Sequence, residues 1–241
     1  MRLALVVALT GWSAAIAVVL GARVVLARRS ESAARACHEL RGPLTAARLG
    51  LELGSRLGEL SPDRLRAIGL ELECAARALE DLGTGGHGTG RVEEVDVPDL
   101  VAGIVEAWSP AAIANRTELV MRLEGEAMSV RGDRLRLAQA TANLIANAIE
   151  HGRGTVEVRG RPHGSGIRLE VTDEGPGLPA PVAVLARRPR AGRGDRGRGL
   201  AIAAAIAADH GGRLAAAPSQ RGARLVLDLP AAGPRRSGRP S

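Results

Sequence analysis

The chain has 241 residues, enough for one large or two small domains. Its 33 basic residues are all arginine, and it contains no Phe or Tyr, so a core must be built from Leu, Val, Ile and Ala. The net charge of +7 would suit a nucleic-acid partner, but no nucleic-acid-binding motif accompanies it, and we expect none. The two cysteines, Cys37 and Cys74, fit neither a disulfide framework nor a metal site.

Residues 3–22 are twenty residues without a charge, long enough to cross a bilayer as a helix. Three arginines follow by residue 29 and predict that this end lies in the cytoplasm. A cleaved signal peptide is the alternative, but its apolar region usually covers about 7–15 residues and ends at a small-x-small site. Residues 20–22 match such a site poorly. We therefore predict a single-pass anchor over residues 1–27, with no extracytoplasmic sensor domain.

Residues 28–83 carry two helical patterns. In the first, apolar residues recur at 40, 44, 47 and 51, which predicts an apolar stripe on a helix. The second begins at Ser61-Pro62-Asp63, with Ser61 as the expected cap. Because two such helices cannot bury all their apolar faces as a hairpin, we expect a second copy to complete a four-helix bundle. The apolar seam of the second helix has heptad spacing and consists of Leu65, Ile68, Leu72, Ala75, Leu79 and Leu82.

The glycine-rich residues 84–90 predict a flexible linker, and residues 231–241 predict a disordered basic tail. Between them, residues 91–230 indicate a mixed α/β domain with a loop over 174–197. Asp133 is the expected cap of a long helix that ends at Glu150. We predict further helices at 98–109 and 200–210, and strands at 95–97, 117–122, 127–131, 155–161, 166–172, 213–217 and 223–229.

A histidine and a carboxylate, His38 and Glu39, stand inside the stretch C-H-E-L-R-G-P-L-T at residues 37–45. Pro43 lacks an N–H and should loosen the helix one turn back, beside Glu39. Alone, such a pair is a common surface feature. Three further blocks follow it: N-L-I-A-N-A at 143–148, D-E-G-P-G at 173–177 and G-R-G-L at 197–200.

Asn143 and Asn147 stand at positions i and i+4, so their amides project from one helix face, and amide oxygens are suitable Mg²⁺ ligands. Asp173 follows a predicted strand, and Gly175 and Gly177 allow a ligand to approach the backbone closely.

The last block, at residues 197–200, opens a helix. The first backbone amides of a helix and the positive end of its dipole form an anion site. The glycines of this block are Gly197 and Gly199, and Leu200 follows them.

In this order, the four blocks resemble the sensor histidine kinases of bacterial two-component systems, over about residues 28–230. The resemblance implies a dimeric helical bundle joined to an α/β two-layer sandwich of the Bergerat type, which binds ATP and Mg²⁺. It implies that His38 accepts the γ-phosphoryl group with the help of Glu39, and that an aspartate of a response regulator receives it. The protein would be a homodimer in the bacterial cell membrane, with its catalytic part in the cytoplasm.

For the nucleotide site, the resemblance implies that Asn147 is the Mg²⁺ ligand and that Asp173 reads the adenine. The ATP-binding set it implies is Asn143, Asn147, Asp173, Gly175, Gly177, Gly197, Gly199 and Leu200.

Several residues depart from the family pattern. Glu150 stands where a basic residue is common, Asp195 replaces the first glycine of the third block, and the lid has no phenylalanine. Gly42 stands where Thr or Asn supports dephosphorylation of the partner, so we expect weak phosphatase activity. Two alternatives stay open: a catalytically weak scaffold that binds a response regulator, and a gyrase- or chaperone-like ATPase.

Overall fold

The computed structural model of the chain describes residues 23, 40, 42–54, 56, 61–84, 91–125, 128–186 and 198–233. In these residues, helices cover one face of a five-stranded sheet, and two further helices lie against that helical layer. The predicted anchor segment, residues 3–22, lies outside the described residues.

The helices are α1 (residues 42–54), α2 (Pro62–Thr84), α3 (Val97–Ala114), α4 (Arg134–His151), α5 (Val182–Leu185) and α6 (Arg198–Asp209). The strands are β1 (Val92–Asp96), β2 (Glu118–Leu123), β3 (Ser129–Asp133), β4 (Thr155–His163), β5 (Gly166–Thr172), β6 (Arg213–Ala216) and β7 (Arg224–Pro230). The sequence predicts a loop in the region that contains α5, and its predicted ends of β1 and β3 lie one to three residues from the observed ones.

The large sheet has the order β2-β4-β5-β7-β6, with β2 parallel to β4 and the other neighbours antiparallel. Strands β1 and β3 form a separate antiparallel pair. Side chains along β4 and β5 alternate between the helical layer and the opposite face, as period-2 strands require. The predicted pairing of these two strands is confirmed, and the α/β sandwich is the observed architecture.

Ion pairs cover the face of the sheet opposite the helices. Arg168 donates to both carboxylate oxygens of Asp228, at 2.6 and 2.9 Å, and these hydrogen bonds lower the pKa of Asp228. Across the β5–β7 pair, Arg224 donates two hydrogen bonds to one oxygen of Glu170, Oε2, at 2.6 and 3.1 Å. Charge pairs therefore cross-link neighbouring strands on this face.

Helix α3 runs past the predicted end at residue 109 and includes Pro110. A proline inside a helix costs about 3 kcal/mol because its ring displaces a hydrogen bond. Here Pro110, Ala111 and Ala112 are all buried in the core. Burial of this apolar turn offsets the missing hydrogen bond, which sequence periodicity could not show.

By length and composition, α3 is also the one described helix that could cross a membrane. Half of this helix is buried inside the protein, with Leu100 and Ile104 in the core. Its hydropathy is therefore explained by core packing.

Asp133 caps helix α4, as predicted. The Oδ1 atom of Asp133 accepts hydrogen bonds from the backbone amides of Leu135 and Arg136, at 3.0 and 3.3 Å. The backbone N–H of Asp133 donates to Nε2 of His210 at 3.0 Å, and Nδ1 of His210 donates to the carbonyl of Ile206 at 2.7 Å. This single imidazole therefore ties the end of α6 to the start of α4.

Helices α1 and α2 pack side by side in opposite directions. A Cβ added to Gly50 would lie 3.2 Å from Cγ1 of Ile68, while Pro43 and Glu71 border one small cavity further along. The predicted apolar seam divides into two sets. Ile68 and Ala75 are buried, whereas Leu65 and Leu72 are about half exposed.

The hairpin meets the sandwich at a buried polar contact. Trp108 Nε1 of α3 donates to Glu71 Oε1 of α2 at 3.1 Å, and Glu71 is only 1% exposed. Burial raises the pKa of Glu71 to about 7, although the Trp108 hydrogen bond opposes this. Burial and the charges of Glu71, Glu73 and Asp133 raise the pKa of the neighbouring Cys74 thiol to about 12, so it stays protonated.

Replacing His210 by alanine should lower the stability of the sandwich. The change removes the acceptor for the Asp133 amide and the bond to Ile206, and losing such buried partners costs about 1–3 kcal/mol. Thermal unfolding of the full chain measures the effect. His163→Ala, at an exposed strand end, is the matched control and should leave the melting temperature unchanged. Equal melting temperatures for both variants would contradict the role of His210.

Packing of Trp108 on the hairpin should weaken as the pH rises. The pKa of Glu71 is raised from 4.5 to about 7 in the packed state. Protonation of Glu71 therefore stabilises the packing fully below about pH 4.5, and this stabilisation is lost as the pH rises through about 7. In a Trp12→Phe chain, Trp108 is the sole tryptophan. Its emission should shift to the red between pH 5 and pH 8.

The matched control for that titration is Glu71→Gln, which has no charge to titrate at this position. Its Trp108 emission should be constant over the same pH range. A red shift of equal size in both proteins would show that another group is responsible.

Candidate functional site

Seven of the ten predicted site residues lie in the described part of the chain. The other three, His38, Glu39 and Gly197, lie outside it. The seven come from three places: α4, the loop after β5, and the first turn of α6.

Helix α4 presents two different faces. Leu144, Ile145 and Ala148 are buried in the core, whereas Asn143 and Asn147 are half-buried on the other side. Positions four residues apart project from the same side of a helix, so both side chains leave α4 on one side. The predicted common face of the two asparagines is present.

Asp173 lies at the end of β5 and is 5% exposed. Its Oδ1 atom accepts hydrogen bonds from the backbone amides of Gly175, at 2.7 Å, and Ala223, at 3.3 Å. Its own N–H donates to the carbonyl of Ala223 at 3.0 Å. These bonds orient the carboxylate and leave Oδ2 for a ligand that offers an N–H.

Glycines make room for this carboxylate. A Cβ on Gly175 would lie 2.7 Å from Cα of Gly152, and a Cβ on Gly152 would lie 2.6 Å from Cβ of Asp173. Gly222 has φ +65°, and a side chain there would collide with the backbone of Asp173. Sequence reasoning missed Gly152 and Gly222, since each is an isolated glycine far from Asp173 in the chain.

The first turn of α6 meets α4. A Cβ on Gly199 would lie 3.2 Å from Oδ1 of Asn143, so the missing side chain lets the two helices approach closely here. Leu200 is buried and holds this end of α6 in the core. The block at 173–177 thus lies at the C-terminal end of α4, and the block at 197–200 lies beside its middle.

Asn143, near Gly199, and Gly152, near Asp173 at the C-terminal end of α4, are nine positions apart. At 1.5 Å per residue they span about 14 Å. One end of this span offers a fixed carboxylate, and the other offers amide groups and a helix N-terminus. The arrangement suits an elongated ligand with an amino group at one end and anionic groups at the other.

The described residues contain no group of three or more His, Cys, Asp or Glu side chains placed to hold a metal ion. Asn143 and Asn147 supply amide oxygens, which are suitable but weak ligands for Mg²⁺. A cation at this place therefore needs further ligands from the bound molecule. This requirement agrees with a nucleotide that brings its own phosphates.

Comparison with known proteins agrees with this geometry. Residues 132–233 match the family described as Histidine kinase-, DNA gyrase B-, and HSP90-like ATPase. This range contains both asparagines of α4, Asp173 and the start of α6.

Two curated relatives extend the similarity beyond that domain. The chain is 34% identical to the probable sensor histidine kinase TcrY of Mycobacterium tuberculosis, over 83% of this chain and 45% of the relative. It is 32% identical to the sensor-type histidine kinase PrrB of the same species, over 85% of this chain and 48% of the relative. The chain thus spans about half the length of the curated relatives it matches.

Solved structures show the same fold. The ATP binding domain of PrrB from Mycobacterium tuberculosis is 28% identical, with a TM-score of 0.50 over 59% of this chain and 98% of that one. The catalytic domain of histidine kinase ThkA is 21% identical, with a TM-score of 0.54 over 58% and 96%. Residues 132–233 therefore belong to the histidine kinase-, DNA gyrase B- and HSP90-like ATPase family, and most of the chain is similar to bacterial sensor histidine kinases.

Proposed function

We propose that the protein is an ATP-dependent protein-histidine kinase that phosphorylates His38 and passes the phosphoryl group to an aspartate of a response regulator. One observation supports this above the others: α4 joins the oriented carboxylate of Asp173 to the Asn143–Gly199 contact. A nucleotide whose base lay at Asp173 would extend its phosphates towards the acceptor hairpin.

In this proposal Asp173 Oδ2 accepts a hydrogen bond from the adenine amino group. Its Oδ1 is already held by two backbone amides, so the carboxylate needs no reorientation when the base binds. Asn143, Asn147 and the first turn of α6 surround the phosphates. Mg²⁺, held by Asn147 and phosphate oxygens, would neutralise charge on the transferring group.

At the acceptor, a neutral ring nitrogen of His38 attacks the γ-phosphorus. A nitrogen–phosphorus bond forms while the bond to the β,γ-bridging oxygen breaks, and ADP leaves. The proton on the imidazole passes to Glu39, which also holds the ring in the reactive tautomer. Both residues lie outside the described part of the chain, and their roles come from the sequence blocks.

We also propose that the protein acts as a homodimer. Four leucines on the outer side of the hairpin are each about half exposed, which is unusual for large apolar side chains on paired helices. A second copy would cover them and complete a four-helix bundle. Their exposed fractions are 49% for Leu44, 48% for Leu51, 52% for Leu65 and 49% for Leu72.

The remaining parts of the proposal come from the sequence. The anchor over residues 1–27 would hold the protein in the bacterial cell membrane with its catalytic part in the cytoplasm. The division into a hairpin at 28–83, a linker at 84–90, a catalytic domain at 91–230 and a tail at 231–241 stays a prediction.

Incubation of the full chain with γ-labelled ATP and Mg²⁺ tests the kinase activity. We expect label that is labile in acid and stable in alkali, because it is attached to a histidine nitrogen. The label should be lost in His38→Gln and kept in His87→Gln, which changes a histidine of the predicted linker. Label that persists in His38→Gln would contradict His38 as acceptor.

The same assay separates the two alternatives. Nucleotide binding without protein label would indicate the weak scaffold, which Asp195 and Glu150 suggest. Free phosphate without protein label would indicate a conformational ATPase.

Replacing Leu72 by asparagine should weaken the dimer. Burying one leucine contributes about 1.5–3 kcal/mol, and a symmetric interface loses the contribution twice, so we expect dissociation to increase roughly a hundredfold or more. Sedimentation of the full chain in detergent measures this. The adjacent exposed position provides the control, since Glu73→Asn should not change the dimer. An unchanged sedimentation mass for both variants would exclude this face of α2 as the dimer interface.

A further inference from the structure

The contact between the hairpin and the sandwich encloses a residue of the nucleotide site. Asn143 of α4 borders a small cavity whose other walls include Gly42 and Pro43 of α1, Glu71 of α2, and Trp108 of α3. The cavity has about 20 Å³ of space, room for about one water molecule. On its opposite side Asn143 faces Gly199. The Asn143 side chain is thus covered from two directions.

Two buried polar atoms belong to residues that line this cavity. Nδ2 of Asn143 and Oε2 of Glu71 are both buried, and neither has a hydrogen-bond partner among the described residues. One is a donor and the other is an acceptor, so their chemistry is complementary. Buried polar groups without partners cost about 1–3 kcal/mol each, which makes this closed arrangement easy to open.

Trp108 holds the arrangement closed. Its indole N–H donates to Oε1 of Glu71 at 3.1 Å, and its ring lies 3.6 Å from the position that a Cβ on Gly42 would occupy. Both helices of the hairpin therefore touch the same side chain. A displacement of α1 or α2 would be transmitted to Trp108 and from there to the cover over Asn143.

We propose that the Glu71–Trp108 pair is an autoinhibitory latch, which keeps Asn143 enclosed against the hairpin and must open before Mg²⁺ and a nucleoside triphosphate fully occupy the site. This inference rests on the proposed function for the location of the phosphates. It adds that hairpin packing and nucleotide binding compete for one asparagine. A triphosphate cannot enter a space that holds about one water, so phosphate contact with the Nδ2 side of Asn143 requires the hairpin to withdraw.

Affinity for a non-hydrolysable ATP analogue, AMPPNP with Mg²⁺, tests the latch in the full chain. If the closed state dominates, opening it removes a conformational cost, so Glu71→Ala should bind the analogue roughly tenfold more tightly. Trp108→Phe keeps most of the ring but loses the N–H, and it should show the same direction of change. Glu73→Ala is the matched control, because Glu73 lies two residues away on the exposed side of α2. The affinity of this variant for AMPPNP should stay within about twofold of that of the parent chain.

Trp108 fluorescence gives a second measurement that needs no change at the latch. In the Trp12→Phe chain, saturation with AMPPNP and Mg²⁺ should shift Trp108 emission to the red as the indole leaves the hairpin. In Trp12→Phe with Glu71→Ala, the emission should already be shifted without nucleotide. This readout keeps the test decisive even if one latch variant fails to fold.

Failure of the latch and failure of the kinase proposal give different results. Two results would overturn the latch even if His38 becomes labelled. One is Trp108 emission that does not change when the analogue saturates the protein. The other is affinity for the analogue that, in both latch variants, is equal to or weaker than that of the parent chain. Tighter binding in the latch variants together with the red shift would support the latch even if no label reached His38. Absence of analogue binding in every protein would overturn both proposals.

Discussion

Helix α4 must satisfy two environments at once, and the rest of the site depends on this. Its 3.6-residue repeat sends Leu144 and Ile145 into the core and places Asn143 and Asn147 on a half-buried side of the helix. The core contact fixes the rotation of the helix about its axis, so the direction of both amides follows from apolar packing. Asp173 and Gly199 are then brought to the two ends of the same span.

The polar side chains around α4 differ in how many hydrogen-bond partners they have. The carboxylate of Asp173 accepts two backbone amides, and the imidazole of His210 has a partner at each nitrogen. Glu71 has only Trp108 for one of its oxygens although it is almost fully buried. Satisfied networks make a site rigid, whereas a poorly satisfied buried carboxylate lowers the cost of separating the surfaces that enclose it. The carboxylate of Asp173 is thus held in one orientation, whereas the contact between the hairpin and the sandwich leaves one oxygen of Glu71 without a partner among the described residues.

Several features could not have been read from local patterns. The heptad spacing in α2 describes one seam, yet Ile68 is buried beside Gly50 of α1 while Leu72 is left half exposed. Periodicity reports which side chains are apolar, and it does not distinguish the surfaces that cover them. The passage of α3 through Pro110 has the same origin, because burial of the following turn outweighs a local preference. His210 and Gly222 act on residues 77 and about 50 positions away, at distances where no spacing rule applies.

By itself the sequence determined the α/β character of residues 91–230, the cap at Asp133, the common face of Asn143 and Asn147, and the strand end at Asp173. Each of these depends on neighbours within one or two turns of helix or along one strand, where backbone geometry dictates direction. Only the tertiary structure decided that Gly199 abuts Asn143, that Gly152 and Gly222 make room for Asp173, and that Glu71 and Trp108 enclose the site from the hairpin. Those contacts join segments distant in the chain, and their positions follow from how the helices and the sheet bury their apolar faces together.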